Sequence, residues 1–255
     1  MSATLERLKP PIKISVVSYA NSYPFLYGLE HHPISSSIDL QLDNPAECAR
    51  KLKHGDVELG LVPVAILPEL DDYYIVSNAC IGADGPVESV CLFSEVPLNE
   101  VETVLLDYQS RTSVQLVRFL AQNSWQITPK WENAQTNFIG KIQGTTAGVV
   151  IGDRAFPLLD KFPVVKDLSE EWKAHTNLPF VFACWVSNKK LGEEFEQQFQ
   201  EAIDFGLQNK LEAITHFADV GHSDLARYVE LVISYELDDK KRQALDLFLN
   251  WLNSR

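Results

Sequence analysis

The chain has 255 residues, of which 45% are hydrophobic and 22% charged, with a formal net charge of −13. That length carries one large domain or two modest lobes, and the composition is that of a soluble globular protein. So acidic a surface, with no basic patch, argues against nucleic acid and anionic membranes as partners. It leaves room for a small anion held locally by helix N-termini and hydroxyls. The four cysteines and six histidines show neither CxxC nor HExxH spacing, so neither a disulfide framework nor a metal site is expected. Met1–Pro11 lacks the apolar run of a secretory signal, and the apolar segment that follows is too short for a membrane span, so a cytoplasmic protein is expected.

In chain order, Ile12–Val17 reads as a buried strand, followed by the polar turn Ser18-Tyr19-Ala20-Asn21-Ser22-Tyr23-Pro24 and a helix over Phe25–Glu30. A polar turn at the carboxyl end of a strand is where α/β sheets place ligands. It is equally where an ordinary helix cap would put serine and asparagine. Ile38, Leu40 and Leu42 alternate with polar residues as a second strand. Asn44, Pro45 and Glu47 then form a capping box for a helix that Gly55 ends. Leu59–Val62 is a third strand.

The same order recurs with Val101–Leu106 as strand, Thr112–Gln122 as helix and Ala147–Ile151 as strand. Val164-Val165 adds a short strand, and a helical stretch begins at Ser169. Beyond the apolar run Phe180–Val186 the chain is helical over Leu191–Leu211 and Asp238–Leu252. The pattern predicts two βαβ lobes around a cleft, with residues 1–94 and 187–255 in one and 95–186 in the other. The crossing segments would be Ser89–Ser94 and Phe180–Ser187. A single continuous sheet is the competing arrangement.

Several segments together resemble the chorismate dehydratase family of the futalosine route to menaquinone. They are the turn Ser18–Pro24, the segment Asp84-Gly85-Pro86-Val87-Glu88-Ser89-Val90-Cys91-Leu92-Phe93-Ser94 and the helix start Ser110-Arg111-Thr112-Ser113-Val114. Ile151-Gly152-Asp153, and the pair Glu170–Lys173 and Leu178–Trp185, complete a match in family order across residues 12 to 187. Departures are Ala20 in place of a usual Leu, Arg111 where a small residue is frequent, and no paired serines in Gly60–Ile66. The sister enzyme of that route, which splits cyclic dehypoxanthine futalosine, carries an NDTF-like turn that is absent here.

The resemblance implies a two-lobed fold similar to type II periplasmic binding proteins. It implies chorismate, a dicarboxylate, as substrate, 3-[(1-carboxyvinyl)oxy]benzoate and water as products, and no cofactor or metal. Asn21 and Ser89 are the expected catalytic residues. Ser18, Tyr19, Gly85, Pro86, Ser110, Arg111, Thr112, Ser113 and Phe180 are the expected substrate contacts. Bland roles stand beside these: a cap for Ser110 and for Asp153, an exposed cation for Arg111, and core or cleft wall for Tyr19, Phe180 and Trp185. No His or Glu pair sits at the predicted strand ends, which fits a substrate carboxylate acting as its own base. A cytoplasmic small-anion-binding or sensor module of the same fold is the alternative, and a homodimer is left open.

Overall fold

The protein is described by a computed structural model covering residues 10–218 and 223–255. Most of Met1–Pro11, read above for a secretory signal, lies outside the described residues. The first strand, β1 (Ile12–Val17), has its four last residues buried. It pairs in parallel with β2 (Ile38–Asp43) on one side and β3 (Leu59–Pro63) on the other. The helix α1 (Tyr23–His31) carries Pro24 in its first turn, where the fixed φ suits it. The helix α2 (Pro45–His54) starts as its sequence demands: the Asn44 side chain accepts from the Glu47 N–H at 3.0 Å, and Gly55 closes it at φ 73°.

Two mixed sheets result. The first is completed by β4 (Tyr74–Ala83), β10 (Phe180–Ser187) and β11 (Ser234–Glu236), in the order β11-β4-β10-β3-β1-β2. The second has the order β7-β6-β8-β5-β9, from β5 (Val90–Ser94), β6 (Thr103–Leu106), β7 (Lys130–Asn133), β8 (Thr146–Ile151) and β9 (Val164–Asp167). The expected crossings are therefore displaced. Ser89–Ser94 is almost entirely a strand of the second sheet, and Phe180–Ser187 lies inside the first. The chain changes sheets over residues 84–89 and 168–179. Both misplaced runs are fully buried, and a continuous apolar run reads alike in a crossing and in the middle of a sheet.

Asp167 ties the two crossings together. Its carboxylate accepts from the Val87 and Glu88 N–H groups at 2.8 and 2.6 Å, and from those of Ser169 and Glu170 at 3.0 and 3.2 Å. The last two bonds cap α4 (Leu168–Thr176). Burial pushes this carboxyl up to about 6, against the pull of the four donors. The first two bonds help hold Glu88 at φ 62°, a left-handed conformation that few non-glycine residues adopt.

An aromatic cluster packs beside these crossings. The Trp172 ring lies 5.0 Å from Phe180 and 4.9 Å from Phe119, and Phe180 lies 5.2 Å from Phe248 of the C-terminal helix (Asp239–Asn253). Truncating such a buried ring costs about 3–5 kcal/mol. The helix read over Leu191–Leu211 breaks at Asn209 into α5 (Glu193–Gln208) and α6 (Lys210–Phe217). The four cysteines are free and buried, and burial lifts the Cys48 and Cys80 thiols to about 12. They are inert packing groups.

Candidate active site

The carboxyl ends of β1 and β3 face α3 (Thr112–Leu120) and the end of β8. Between them lies a narrow pocket, about 60 Å³ in cavity volume and partly open to solvent. The polar turn after β1 brings Tyr19 and Asn21 to it, the first crossing brings Ser89, and the start of α3 brings Ser110, Arg111, Thr112 and Ser113. These seven are residues that the sequence singled out. Ser18, Gly85, Pro86 and Phe180, also expected as contacts, do not line it. Ser18 is exposed and its N–H donates to the Asp43 carbonyl. Pro86 is exposed, Gly85 makes the turn at φ 129°, and Phe180 is in the aromatic cluster. Phe182 takes the wall position instead, beside a register shift between Val181 and Ala183. The rest of the wall is mainly apolar, and Pro63 stands for the serine-poor segment Gly60–Ile66.

The four residues at the start of α3 divide by what their side chains already hold. Ser110 Oγ accepts from the Ser113 N–H at 3.1 Å, so it caps the helix. Thr112 Oγ1 donates to the Phe182 carbonyl at 2.9 Å and accepts from the Ala65 N–H at 3.3 Å, bridging to the first sheet. Ser113 Oγ has no hydrogen-bond partner among the described residues. Arg111 is exposed, with one guanidinium nitrogen 3.1 Å from the Ser110 carbonyl, and it pairs with no described carboxylate. The pocket wall therefore offers one uncommitted hydroxyl and one guanidinium at a helix N-terminus, a combination suited to a carboxylate.

At the other end Ser89 Oγ lies 2.6 Å from the hydroxyl of Tyr228, and both residues are buried. Asn21 is fixed from two sides. Its carbonyl accepts from the Tyr235 hydroxyl at 3.0 Å, and its Oδ1 accepts from Ser22 Oγ at 3.2 Å. Burial drives the Tyr228 phenol far above its usual range, with Ser89 and Asn21 pulling the other way. Tyr228 faces a second cavity lined also by Glu88 and Asp153, the chain neighbours of Ser89 and Gly152. These residues form the wall between the two spaces.

Tyr19 clasps the two sides of the pocket. Its hydroxyl donates to Gln109 Oε1, and burial pushes its phenol up to about 12. Its ring covers Gly152, where an added Cβ would stand 2.8 Å from ring carbons at φ +67°, so only glycine fits. Behind it, fully buried Asp107 accepts from Arg154 at 2.8 Å and from the Ile151 N–H at 3.1 Å. The Asp153 carboxylate is 3.4 Å from the Ala20 N–H. Neither Asp107 nor Arg154 was signalled by the sequence, because their pairing spans elements with no local pattern.

No Asp, Glu, His or Lys is among the described residues lining the pocket. Among the described residues no three His, Cys, Asp or Glu side chains gather as a metal would require, and no helix is long and apolar enough to cross a membrane.

Comparison with known proteins agrees with this architecture. A protein from Archaeoglobus fulgidus superposes with a TM-score of 0.76 at 15% identity, covering 96% of this chain and 97% of that one. The alkanesulfonate-binding protein SsuA from Xanthomonas axonopodis pv. citri, solved with MOPS, gives 0.65 at 12% identity, over 96% and 93%. A Candida albicans protein described as having the generic periplasmic binding protein fold gives 0.64 at 10%, over 97% and 91%. The chain thus has the periplasmic-binding-protein-like fold. In sequence it is 29% identical over 198 residues to a chorismate dehydratase of Thermus thermophilus, 71% of either chain. It is likewise 29% identical to one of Campylobacter jejuni, over 46% of this chain and 54% of that relative. A family model described as menaquinone biosynthesis matches residues 12–254, and the chain belongs to that family.

Proposed function

We propose that this protein is a chorismate dehydratase, a carbon–oxygen lyase that converts chorismate to 3-[(1-carboxyvinyl)oxy]benzoate and water in the cytoplasm. The observation that carries the reading is the pocket itself. It pairs a cationic, hydroxyl-bearing helix start with the Asn21 and Ser89 end, and the chain's curated relatives are chorismate dehydratases. In this reading the two sheets are the cores of two lobes, and the dianionic substrate lies between them.

Arg111, Ser113 and the α3 N-terminus hold one substrate carboxylate. Ser110 and Thr112 shape that end through their bonds to the backbone. Asn21 and Ser89 sit where hydrogen bonds to the leaving hydroxyl and to developing negative charge are needed. The reaction breaks one ring C–H bond and one C–O bond. One of the substrate's own carboxylates takes the ring proton, that proton leaves with the departing hydroxyl as water, and the ring becomes aromatic. The described wall contains no protein carboxylate or imidazole to act as base, and burial keeps the Tyr19 phenol protonated at neutral pH. Tyr19 and Phe182 help exclude water, so the chain's task is orientation and charge stabilisation.

The test is chorismate turnover by the purified chain, followed by chromatography of substrate and aromatic product. Enzyme-dependent formation of the enol ether is the expected result. Binding without conversion would instead favour a sensor module, and neither binding nor conversion would remove chorismate as the ligand.

A further inference from the structure

Building on that reading, we infer that Tyr228 is a positioning residue that holds the Ser89 hydroxyl in place at the pocket. The inference follows from the wall between the two cavities. Ser89 Oγ and the Tyr228 hydroxyl lie 2.6 Å apart, and both residues are buried. Ser89 lines the pocket, whereas Tyr228 lines the second cavity. The tyrosine therefore reaches a ligand in the pocket through the serine.

A hydrogen bond between two buried hydroxyls fixes the rotamer of the serine that the pocket presents and polarises it. Tyr228 itself opens onto the second cavity rather than the pocket. It touches no substrate, and its influence passes through Ser89. The backbone supports the same aim: the Ser89 N–H donates to the Val87 carbonyl at 2.7 Å, and the Ser89 carbonyl accepts from the Gly152 N–H at 2.8 Å. The serine is held on both sides and only the direction of its hydroxyl remains to be set.

The experiment is a double-mutant cycle on the full chain: wild type, Tyr228→Phe, Ser89→Ala and the double variant, each assayed for kcat and KM with chorismate and for its melting temperature. Tyr228→Phe is expected to lower kcat about tenfold or more, with KM within about threefold. In the Ser89→Ala background the same change is expected to have almost no further effect. An undiminished rate in Tyr228→Phe, or an equal loss with and without Ser89, overturns the inference. If Tyr228→Phe melts early, the cycle is run below its transition, and a crystal structure of that variant reports the Ser89 rotamer. An unchanged rotamer together with an unchanged rate again overturns it. Wild-type turnover separates the two failures. Without it the dehydratase reading falls and the positioning role with it; with it and no coupling, only the positioning role falls.

Discussion

The two ends of the pocket are furnished with the same kinds of side chain and use them differently. At the α3 end, two of three hydroxyls are committed to backbone groups, while Ser113 Oγ has no hydrogen-bond partner and Arg111 no carboxylate partner among the described residues. At the Asn21 end the Asn21 Oδ1 and carbonyl and the Ser89 hydroxyl are each held by a neighbour, through Ser22, Tyr235 and Tyr228. The α3 end can adapt to a carboxylate. The Asn21 end is held in advance, which suits the transition-state role proposed for it. Lining a pocket is therefore a weaker statement than serving its chemistry, and Thr112 shows the difference.

Mutation can break this contrast. Asn21→Ala removes a preorganised donor and is expected to lower kcat by about 10²–10³, with the melting temperature within a few degrees of wild type. A large drop in melting temperature with full activity would return Asn21 to the role of a turn residue. Arg111→Gln acts at the adaptable end and is expected to raise KM about tenfold with a smaller change in kcat. That penalty should shrink at high salt, because Arg111 is exposed. Thr112→Val, which orphans the Ala65 N–H and the Phe182 carbonyl, is expected to cost about 1–2 kcal/mol of stability. Calorimetry should show that as roughly 2–8 °C, while KM stays close to wild type. A KM rise as large as that of Arg111→Gln would make Thr112 a substrate contact after all.

The smallest expected effect is none. The Tyr19 and Tyr228 phenols are both raised, so they stay protonated below their folded values, and the described wall has no other ionisable group except Arg111. From pH 7 to pH 9 kcat should be flat. A limb inside that window would reveal a protein base, and the carboxyl of Asp167, which sits at about 6, lies just below it.

What could be read in advance follows the range of the physics. The cap at Asn44–Glu47 and the strand Ile38–Asp43 are local and form where the residues put them, although the alternation fails at Leu42, which is exposed. The turn before α1 and the start of α3 are local too, so six of the proposed site residues could be named there, and Ser89 on the first crossing makes the seventh. The strand Tyr74–Ala83 was not legible, because Ser77, Asn78 and Gly82 interrupt its apolar pattern. The polar edge strand Lys130–Asn133 carries no alternation that a surface loop would lack. Phe180 and Phe182 are indistinguishable by type, and a shift in register decides which one faces the cleft. Tyr228 meets Ser89 across 139 positions of chain and Arg154 meets Asp107 across 47. No periodicity reaches that far.

The strand order has a consequence for synthesis. In the first sheet β3 and β4 are not neighbours; β10 fills the gap between them, and β11 covers the outer edge of β4. As the chain leaves the ribosome, all strands of the second sheet are available by Asp167, while the gap awaits Phe180–Ser187. Until then the buried-type strand Leu59–Pro63 presents an open edge, with the hazard of pairing wrongly. The nascent chain thus completes its inserted sheet first and closes the enclosing one last, an order that favours domain-wise folding during translation.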